Sequence, residues 1–422
     1  MIVRGKVRPP GDKSITHRAL FLASLSEGRS CLGGALTAGD AKSTARILRQ
    51  LGVDVGPLRP DARLSVRGGR WSQPRGALNC GNSGTAARLV LGLLAGRALT
   101  VGVTGDASLR RRPMRRVTEP LTRMGARFTG NDPDRLPLVI SGGHLRDLTW
   151  IPPVASAQVK TALLFAAMIG RVRVSVEEPA RSRDHTERML RYLGLPIEVD
   201  GLRLALDGAR VPANLPSLDL TIPADPSSAA FLVVAALLAD GGELRIEGVC
   251  VNPTRIGYLN VLRRMGGQVE LIDEREEGGE PVADLLVRPS VLTGTEVIAE
   301  EIPSLIDEVP VLAVAAARAS GETAFRSVGE LRVKESDRLS LVASNLRAVG
   351  IEAEVQGDDL VVRGAERPPA GRIETAHDHR LTMAFAVLGT VREADVRLSE
   401  RASAAVSYPG FFDHLARIGA DG

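Results

Sequence analysis

Residues 161–170 read TALLFAAMIG, and they are apolar on nearly every side. Residues 229–241, which read AAFLVVAALLADG, have the same character. A surface helix keeps one polar face, whereas a helix that is apolar all round is usually buried on all sides. Both stretches therefore predict helices that lie inside a domain rather than on its surface.

Segments of this kind recur along the chain and alternate with helices of a second kind. The buried-type segments begin near Lys13, Asn82, Gln158, Ser227, Glu308 and His379. The amphipathic segments between them end in an apolar residue and then a glycine, at Gly52, Gly125, Gly194, Gly266, Gly350 and Gly419. Glycine commonly ends a helix because it adopts a positive φ without steric cost. The pattern predicts six copies of about 70 residues, each with two helices and several short strands.

These repeats predict an α/β protein of two domains with three copies each, since a chain of 422 residues suits about two domains. The Pro-rich residues 212–226 lie near the midpoint and are the best candidate for a crossing between the halves. The polar residues 273–281 predict a solvated hairpin loop. The alternative is one doubly wound sheet whose helices happen to be evenly spaced.

Composition argues against several classes of protein. The net charge of +4 is too dilute for a dedicated nucleic-acid protein, and 3% aromatic residues leave little for stacking on bases. The longest apolar runs, 231–239 and 309–317, are too short to span a membrane. Three cysteines without a CxxC pair argue against a disulfide framework or a cysteine-built zinc site. Residues 1–13 contain no apolar secretion segment, so we expect a cytoplasmic protein.

The first candidate site, residues 10–18, reads PGDKSITHR and opens a buried-type helix. Asp12 is a plausible N-cap, which places Lys13 and Ser14 in the first turn, and Arg18 shares a helix face with Ser14. Free N–H groups and the helix dipole attract anions at such a position. The stretch therefore predicts a phosphate or carboxylate site, although it lacks the glycines of a nucleotide P-loop.

Two further stretches in the first half could bind anions. Residues 80–88, CGNSGTAAR, place two glycines ahead of a buried-type helix, where a ligand can approach the backbone closely. Residues 110–113 read RRRP, and the proline directly after Arg112 favours one defined guanidinium over a flexible patch. The plainer alternatives are a simple turn in the first case and a solvated basic cluster in the second.

The second half of the chain adds acids to the cations. Residues 306–310, IDEVP, place two acids before an apolar helix, where a carboxylate is either a cap or a desolvated general base. Within residues 330–338, Lys334 and Arg338 are four apart and can face one ligand together; the alternative is a salt-bridged surface helix. Residues 377–380, HDHR, hold two histidines, but no further ligand set has helpful spacing, so we expect no metal.

If the buried helices converge, their N-termini form a cavity that attracts anions, and the substrate should carry more than one negative group. Eight motifs also resemble those of the 5-enolpyruvylshikimate-3-phosphate (EPSP) synthase family, in that family's order and over essentially the whole chain. They are PGDKSITHRA (10–19), CGNSGTAARL (80–89), GDASLRRRPM (105–114), SAQVKTALL (156–164), SRDHTERML (182–190), IDEVPVLAVAAA (306–317), LRVKESDRL (331–339) and DHRLTMAF (378–385).

The resemblance implies a two-domain inside-out α/β barrel, in which each domain has three βαβαββ repeats around buried helices. It implies an N-terminal lobe, 12–224, on the shikimate 3-phosphate side, and a C-terminal lobe, 1–11 plus 225–422, on the phosphoenolpyruvate side. In the implied reaction, the 5-hydroxyl of shikimate 3-phosphate attacks C2 of phosphoenolpyruvate while C3 is protonated, and the tetrahedral intermediate loses phosphate by C–O cleavage. We expect a monomer that needs no cofactor or metal and binds neither nucleic acid nor a membrane.

The resemblance also implies the site residues by motif position. Shikimate 3-phosphate is expected to contact Lys13, Ser14, Arg18, Ser156, Gln158, Arg183, Asp307 and Lys334. Phosphoenolpyruvate is expected to contact Lys13, Gly84, Arg112, Gln158, Arg338 and Arg380. Bidentate guanidinium groups suit its carboxylate and its phosphate. Asp307 and Glu335 are the expected acid–base pair, with Lys13 also catalytic and with Lys13 or Lys334 assisting.

Several positions depart from the family's common pattern. Val406 stands where many members carry a lysine, so one contact to phosphoenolpyruvate is absent or replaced. Ala157 replaces a frequent serine and His185 a frequent tyrosine, which resembles the divergent second-class branch. Some members carry alanine at the position of Gly84 and resist glyphosate, so this residue alone does not predict resistance.

Two other functions stay open at this point. The related enolpyruvyl transferase that acts on UDP-N-acetylglucosamine usually has Lys-Asn near its start and Cys or Asp in a mobile loop. Lys13 followed by Ser14 favours shikimate 3-phosphate, although Asp106 lies in the corresponding loop segment. A repeat scaffold that binds RNA or another polyanion without catalysis is opposed by the sparse aromatic residues and the nearly balanced charge.

Overall fold

The structure, a computed structural model, describes residues 1–60, 62–132 and 134–419. Its chain divides into two compact units. Unit 1 comprises Met1–Pro10, Pro223–Glu276 and the described residues from Pro281 onward, and unit 2 comprises Gly11–Ile222 and Glu277–Glu280. The two lobes expected above, with one substrate assigned to each, stay a prediction.

The described residues form thirteen α-helices, in which a buried and an amphipathic kind alternate. The helices are α1 (Lys13–Ala23), α2 (Gly39–Gln50), α3 (Gly84–Ala95), α4 (Ala107–Arg111), α5 (Arg115–Met124), α6 (Ala157–Gly170), α7 (His185–Tyr192), α8 (Pro226–Leu237), α9 (Gly257–Arg264), α10 (Val309–Ala316), α11 (Arg338–Ala348), α12 (His379–Leu388) and α13 (Phe411–Gly419). Short 3₁₀ turns lie at Gly208–Arg210, Ile302–Ser304, Gly329–Val333 and Ala402–Val406.

The six predicted buried helices are confirmed, since α1, α3, α6, α8, α10 and α12 begin within two residues of the expected positions. Every residue of α8 is buried. In unit 2, Phe21 of α1 meets Phe165 of α6 edge to face, with ring centroids 6.4 Å apart. These helices form the cores of the units because they have no polar face to expose to solvent.

Five of the six predicted glycine stops are confirmed. Gly52, Gly125, Gly194, Gly266 and Gly350 all follow amphipathic helices and have φ between +69° and +119°. An L residue with a side chain rarely adopts this backbone conformation. The sixth prediction is wrong, because Gly419 lies within α13 as its last residue.

The described residues form 24 short strands. They are β1 (Ile2–Val3), β2 (Lys6–Val7), β3 (Arg29–Gly33), β4 (Asp54–Val55), β5 (Leu64–Arg67), β6 (Leu78–Asn79), β7 (Thr100–Thr104), β8 (Arg127–Thr129), β9 (Leu138–Ser141), β10 (Leu148–Trp150), β11 (Arg173–Glu177), β12 (Ile197–Asp200), β13 (Arg203–Asp207), β14 (Asp219–Thr221), β15 (Gly241–Gly242), β16 (Leu244–Cys250), β17 (Gln268–Glu277), β18 (Glu280–Arg288), β19 (Glu296–Val297), β20 (Glu322–Phe325), β21 (Glu352–Gln356), β22 (Asp359–Arg363), β23 (Ala370–Ile373) and β24 (Asp395–Leu398).

Five four-stranded sheets repeat one pattern. Their strand orders are β14-β3-β5-β4, β6-β7-β9-β8 and β10-β11-β13-β12 in unit 2, and β2-β16-β18-β17 and β19-β20-β22-β21 in unit 1. In each sheet the first strand pairs in parallel with the second. The second pairs antiparallel with the third. The predicted α/β fold and its repeat are confirmed, as separate sheets that form no closed barrel within the described residues.

The sixth copy is shorter than the prediction of six equal units. Its sheet has only the parallel strands β23 and β24 within the described residues, and α13 follows them. Another two-stranded parallel sheet joins β1 to β15. Unit 1 therefore has two full copies and one reduced copy, whereas unit 2 has three full copies.

The residues that were expected to form a solvated hairpin loop do form a hairpin, in which 273–276 are exposed and 277–279 half-buried, while Glu280 is buried. β17 and β18 are joined by Gly278 and Gly279, which both have positive φ. Glu280 is only 2% exposed, and its Oε1 lies 2.7 Å from Nδ1 of His185. The tip 277–280 belongs to unit 2 because of such contacts.

Candidate active site

The start of α1 has the predicted N-cap and an ion pair that the sequence did not reveal. The Asp12 carboxylate accepts from the backbone N–H of Ile15 at 2.8 Å. Lys13, in the first turn, lies with its Nζ 3.2 Å from Oδ2 of Asp40, which stands near the start of α2. Asp40 holds the lysine at the positive end of α1, where an anion is favoured.

Arg18 fixes α1 against the helices that carry other candidate residues. Its Nε donates to the hydroxyl of Thr186 at 2.7 Å, and its Nη1 to the backbone oxygen of Ser14 at 3.0 Å. Its Nη2 donates to the hydroxyl of Thr161 at 3.0 Å and to the backbone oxygen of Ala157. These four acceptors are neutral, and their hydrogen bonds fix the orientation of the guanidinium.

His17 lies beneath this cluster and joins three helices. Its Nδ1 is 2.7 Å from the hydroxyl of Thr44 in α2, and its Nε2 is 3.4 Å from the hydroxyl of Ser83 at the start of α3. Burial lowers the pKa of the His17 ring to about 4, and the charges of Lys13 and Arg18 act in the same direction, against Asp40. The ring is therefore neutral at physiological pH, and it adds no charge to an already cationic region.

The start of α3 places Gly84 beside two guanidinium groups. Ser83 caps the helix by accepting from the N–H of Ala86. A Cβ on Gly84 would lie 3.2 Å from Nη1 of Arg88 and 3.3 Å from Nη1 of Arg112. Arg112 is half-buried and donates to Asn82 Oδ1 at 2.6 Å, as expected of one defined guanidinium. The adjacent Arg110 and Arg111 are exposed.

The start of α6 adds a hydroxyl and an amide to the same region. Ser156 caps the helix by accepting from the N–H of Val159. The Gln158 amide accepts from Nη1 of Arg88 at 2.5 Å and donates to the hydroxyl of Thr85 at 2.9 Å. Arg88 thus joins the starts of α3 and α6. These contacts join Ser14 to Arg18, and they place Gly84 beside Arg112 and, through Arg88, near Gln158. Lys13 precedes Ser14 in α1, and Ser156 precedes Ala157, which accepts from Arg18.

Arg183 is less closely placed. It is half-buried and lies just before α7, the helix that supplies the Thr186 hydroxyl to Arg18. His185, which stands where the family often has a tyrosine, is fully buried against Glu280. Its ring is therefore used within unit 2 instead of being presented on a surface.

Unit 1 gathers its candidate residues around one carboxylate. The Asp307 side chain lies just before α10 and is 15% exposed. Its Oδ1 is 3.4 Å from Nζ of Lys334 and 3.7 Å from Nη1 of Arg338. Its Oδ2 is 3.8 Å from Nη2 of Arg380. Glu308, and not Asp307, is the N-cap residue of α10, and its side chain makes no capping hydrogen bond.

Arg338 is buried and ion-paired on several sides. Its Nε donates to Oδ2 of Asp378 at 2.8 Å, and its Nη2 lies 2.5 Å from Oε2 of Glu335. Burial opposes the charge on Arg338, but Asp378 and Glu335 outweigh it and raise the pKa of the guanidinium. Burial also opposes the charge on Asp378, yet Arg338 and His379 outweigh it and lower the pKa of that carboxyl.

The segment 330–338 is not the surface helix that was weighed against a ligand site. A 3₁₀ turn, Gly329–Val333, precedes a loop, and α11 begins at Arg338. Lys334 and Arg338 nevertheless face one group together, because both approach Asp307. The HDHR stretch caps α12 through Asp378, which accepts from the N–H of Arg380 at 2.9 Å.

Sequence reasoning missed several side chains that hold the predicted ones. Asp40, Arg88, Asn82 and Asp378 contact predicted site residues but were not assigned to the site. Asp378 had a usable signal, an acid directly before a buried helix. Asp40 had none, since its contact with Lys13 depends on how α2 packs on α1.

Other features of the described residues bear on cofactors and membranes. In residues 1–60, 62–132 and 134–419, no group of three or more His, Cys, Asp or Glu side chains could hold a metal ion. No helix in these ranges is long and apolar enough to cross a membrane. Val406, at the position of the frequent lysine, is half-buried at the end of a 3₁₀ turn.

Comparisons with known proteins agree over the whole length. The chain matches the family EPSP synthase (3-phosphoshikimate 1-carboxyvinyltransferase) over residues 2–415. It is 49% identical over 418 residues to a 3-phosphoshikimate 1-carboxyvinyltransferase of Thermus thermophilus, covering 99% of this chain and 96% of that protein. The enzyme of the same name from Gluconobacter oxydans is 46% identical over 424 residues, covering 99% and 95%.

Solved structures give the same result. The EPSP synthase of Acinetobacter baumannii superposes with a TM-score of 0.87 at 36% identity, covering 99% of this chain and 95% of that one. The enolpyruvyl transferase NikO from Streptomyces tendae superposes with a TM-score of 0.77 at 18% identity, covering 100% and 96%. At that identity the likeness to NikO shows a shared fold alone.

Proposed function

This chain belongs to the EPSP synthase family, and we propose that the helix starts described above provide its substrate contacts and its acid–base groups. The enzyme transfers the enolpyruvyl group of phosphoenolpyruvate to the 5-hydroxyl of shikimate 3-phosphate, giving 5-enolpyruvylshikimate 3-phosphate and phosphate. The reaction is a step of aromatic amino acid biosynthesis.

Unit 2 supplies most of the proposed contacts to shikimate 3-phosphate. Its residues are Lys13, Ser14, Arg18, Ser156, Gln158 and Arg183. Hydroxyl groups, backbone N–H groups and a guanidinium at helix starts suit a phosphate, which accepts several charge-assisted hydrogen bonds. The hydrogen bonds from Arg18 to the hydroxyls of Thr186 and Thr161 support this role, because they fix the orientation of its guanidinium.

Phosphoenolpyruvate is assigned to a second set of groups. In unit 2 these are Lys13, Gly84, Arg112 and Gln158, and in unit 1 they are Arg338 and Arg380. Glycine at position 84 leaves the space beside Arg88 and Arg112 that a side chain would fill. Planar guanidinium groups match both the carboxylate and the phosphate of this substrate.

The acid–base groups are Asp307 and Glu335, assisted by Lys13 or Lys334. One proton must leave the 5-hydroxyl as oxygen bonds to C2, and one must reach C3. When the C–O bond to phosphate then breaks, a proton must leave C3. Asp307 and Lys334, 3.4 Å apart, are assigned to the reacting hydroxyl. Positioned acid–base groups of this kind typically contribute about 10²–10⁴-fold to a rate.

The observation that best supports this assignment is the cluster around Asp307. Three cations, Lys334, Arg338 and Arg380, lie within 3.8 Å of this one partly exposed carboxylate. A purely structural ion cluster needs no exposed member, whereas a general base must be reachable by its substrate.

The direct test is the release of inorganic phosphate from phosphoenolpyruvate by the purified protein. We expect release only when shikimate 3-phosphate is also present, with no added metal or cofactor, from protein that sediments as a 44.8 kDa monomer. UDP-N-acetylglucosamine in place of shikimate 3-phosphate should give none. Release with the nucleotide sugar and not with shikimate 3-phosphate would overturn the assignment.

We also propose a cytoplasmic location, which fits three cysteines that form no disulfide in the described residues.

A further inference from the structure

A second acid beside Asp307 has no part in the proposed chemistry. Glu308 is 1% exposed and lies directly before α10. Its Oε1 accepts from the hydroxyl of Ser227 in α8 and lies 3.3 Å from Nη1 of Arg380 in α12. The starts of three buried helices of unit 1 therefore meet at one carboxylate oxygen.

The group around Glu308 is balanced in charge. Arg255, which is 2% exposed, donates through Nη2 to Oδ1 of Asp225 at 3.1 Å and to Oγ of Ser227 at 3.2 Å. Ser227 accepts from Arg255 and gives its own proton to Glu308, so its hydroxyl orientation is set. The guanidinium groups of Arg255 and Arg380 and the carboxylates of Asp225 and Glu308, all buried, thus lie around Ser227. A buried charge is costly unless it is paired in this way.

The contact with Glu308 determines how Arg380 can point. Nη1 of Arg380 donates to the backbone oxygen of Asp307 at 2.8 Å as well as to Glu308. Two acceptors on one nitrogen fix the plane of the guanidinium, because its atoms are coplanar. Nη2 then stands 3.8 Å from Oδ2 of Asp307, which is beyond hydrogen-bond distance.

We infer that Glu308 is a positioning residue, which orients Arg380 toward phosphoenolpyruvate and keeps it out of a direct hydrogen bond with the side chain of Asp307. Without the charge of Glu308, the carboxylate of Asp307 becomes the strongest acceptor within reach of Arg380. That pairing would turn the guanidinium away from the ligand and occupy the proposed base. The inference rests on the proposed contact between Arg380 and phosphoenolpyruvate.

The test compares Glu308→Gln with Glu301→Gln, a matched loss of charge at a partly exposed glutamate in the approach to the same helix. Glu308→Gln keeps the shape and one oxygen acceptor. We expect it to raise the KM for phosphoenolpyruvate by about 10- to 100-fold, the effect of a charged hydrogen bond. The affinity for shikimate 3-phosphate, measured by calorimetry, should stay within about twofold. Glu301→Gln should change neither quantity.

Two further variants separate this inference from the proposed function. Arg380→Gln should raise the KM for phosphoenolpyruvate at least as much, and the double variant Glu308→Gln with Arg380→Gln should be no worse than Arg380→Gln alone. If Arg380→Gln leaves that KM unchanged, the proposed contact itself is wrong. If Arg380→Gln raises it and Glu308→Gln does not, only the positioning role is wrong. Equal losses for both substrates in Glu308→Gln would also overturn that role.

If Glu308→Gln does not fold, Ser227→Ala and Glu308→Asp replace it. Ser227→Ala removes one neutral hydrogen bond to the carboxylate and should raise the KM for phosphoenolpyruvate by a smaller factor. Glu308→Asp keeps the charge and should restore most of the affinity that the charge provides. An unchanged KM in Ser227→Ala, together with a normal melting temperature, would count against the inference.

Discussion

Several hydrogen bonds of the candidate arginines in unit 2 go to neutral acceptors, whereas those in unit 1 contact carboxylates. In unit 2, Arg18, Arg88 and Arg112 donate to hydroxyls, amides and backbone oxygens. In unit 1, Arg338 contacts three carboxylates and Arg380 contacts two. Neutral acceptors orient a cation and preserve its attraction for an anion, whereas carboxylates offset that attraction and become groups that can exchange protons. Under the proposed function, unit 2 supplies most of the contacts to shikimate 3-phosphate, and unit 1 supplies Asp307 and Glu335 as the acid–base groups.

The largest expected effect tests the unit 1 half of this comparison. Asp307→Asn should lower turnover by about 10²–10⁴-fold, because the amide cannot accept the proton of the hydroxyl. Binding of shikimate 3-phosphate, measured by calorimetry, should persist. Asp395→Asn, at a carboxylate that is 60% exposed, is the matched control and should be fully active. Near-normal turnover of Asp307→Asn would remove this residue from the chemistry.

A second prediction concerns the neutral ring that supports the cations of unit 2. His17 has a pKa of about 4 in the fold and about 6.5 when unfolded, so the unfolded chain takes up a proton that the folded chain refuses. The contribution of His17 to the free energy of unfolding should be fully present above about pH 6.5 and should be lost as the pH drops toward about 4. The loss due to this ring is at most about 3 kcal/mol.

Tryptophan fluorescence during urea unfolding can measure this effect in unit 2 alone, since Trp71 and Trp150, the two tryptophans of the chain, both lie there. His17→Gln should flatten the change in unfolding free energy between about pH 7 and about pH 4.5, the range in which only the unfolded ring gains its proton. His144→Gln, at a histidine that is not buried, should leave the wild-type pH dependence intact. An equal slope in His17→Gln and wild type would contradict the prediction.

The smallest effect tests whether neutral contacts really leave Arg18 available. Arg18→Gln should weaken the binding of shikimate 3-phosphate by about 10- to 100-fold, since a hydrogen bond to a charged group contributes about 1.5–3 kcal/mol. The remaining affinity should depend less on salt than that of the wild type. Arg67→Gln, at an exposed arginine, is the control. If both variants bind shikimate 3-phosphate equally well, the charge of Arg18 does not contribute to binding, and the proposed difference between the two units is wrong.

Local signals in the sequence predicted much of this fold. The glycines after the amphipathic helices and the N-cap acid before α1 act within a few residues, so a single sequence contains these signals. Asp12 and Ser156 are caps, and Gly125 has a φ of +119°. The same reasoning was wrong at Gly419, because a glycine at a helix end need not leave the helix.

Contacts between distant segments could not be predicted in this way. Lys13 pairs with Asp40, and Glu308 binds Ser227, only because separate helices pack together. The site residues were reached through motif resemblance, which names side chains but not the groups that hold them. Within 330–338, Asp337 caps α11 by accepting from the N–H of Ser340. This short-range signal starts the helix at Arg338, whereas the alternative treated the whole segment as one surface helix.

The strand β2 carries a consequence for the order in which the chain is made. All strands of the three sheets of unit 2 lie within residues 11–222, so this unit can assemble its sheets once that length has left the ribosome. Lys6 and Val7 instead pair with Arg245 and Ile246. At about 5–20 residues per second, the first ten residues wait roughly 10 to 50 s for that partner strand to be synthesised. Unit 1 is thus the part of the protein that begins first and is completed last.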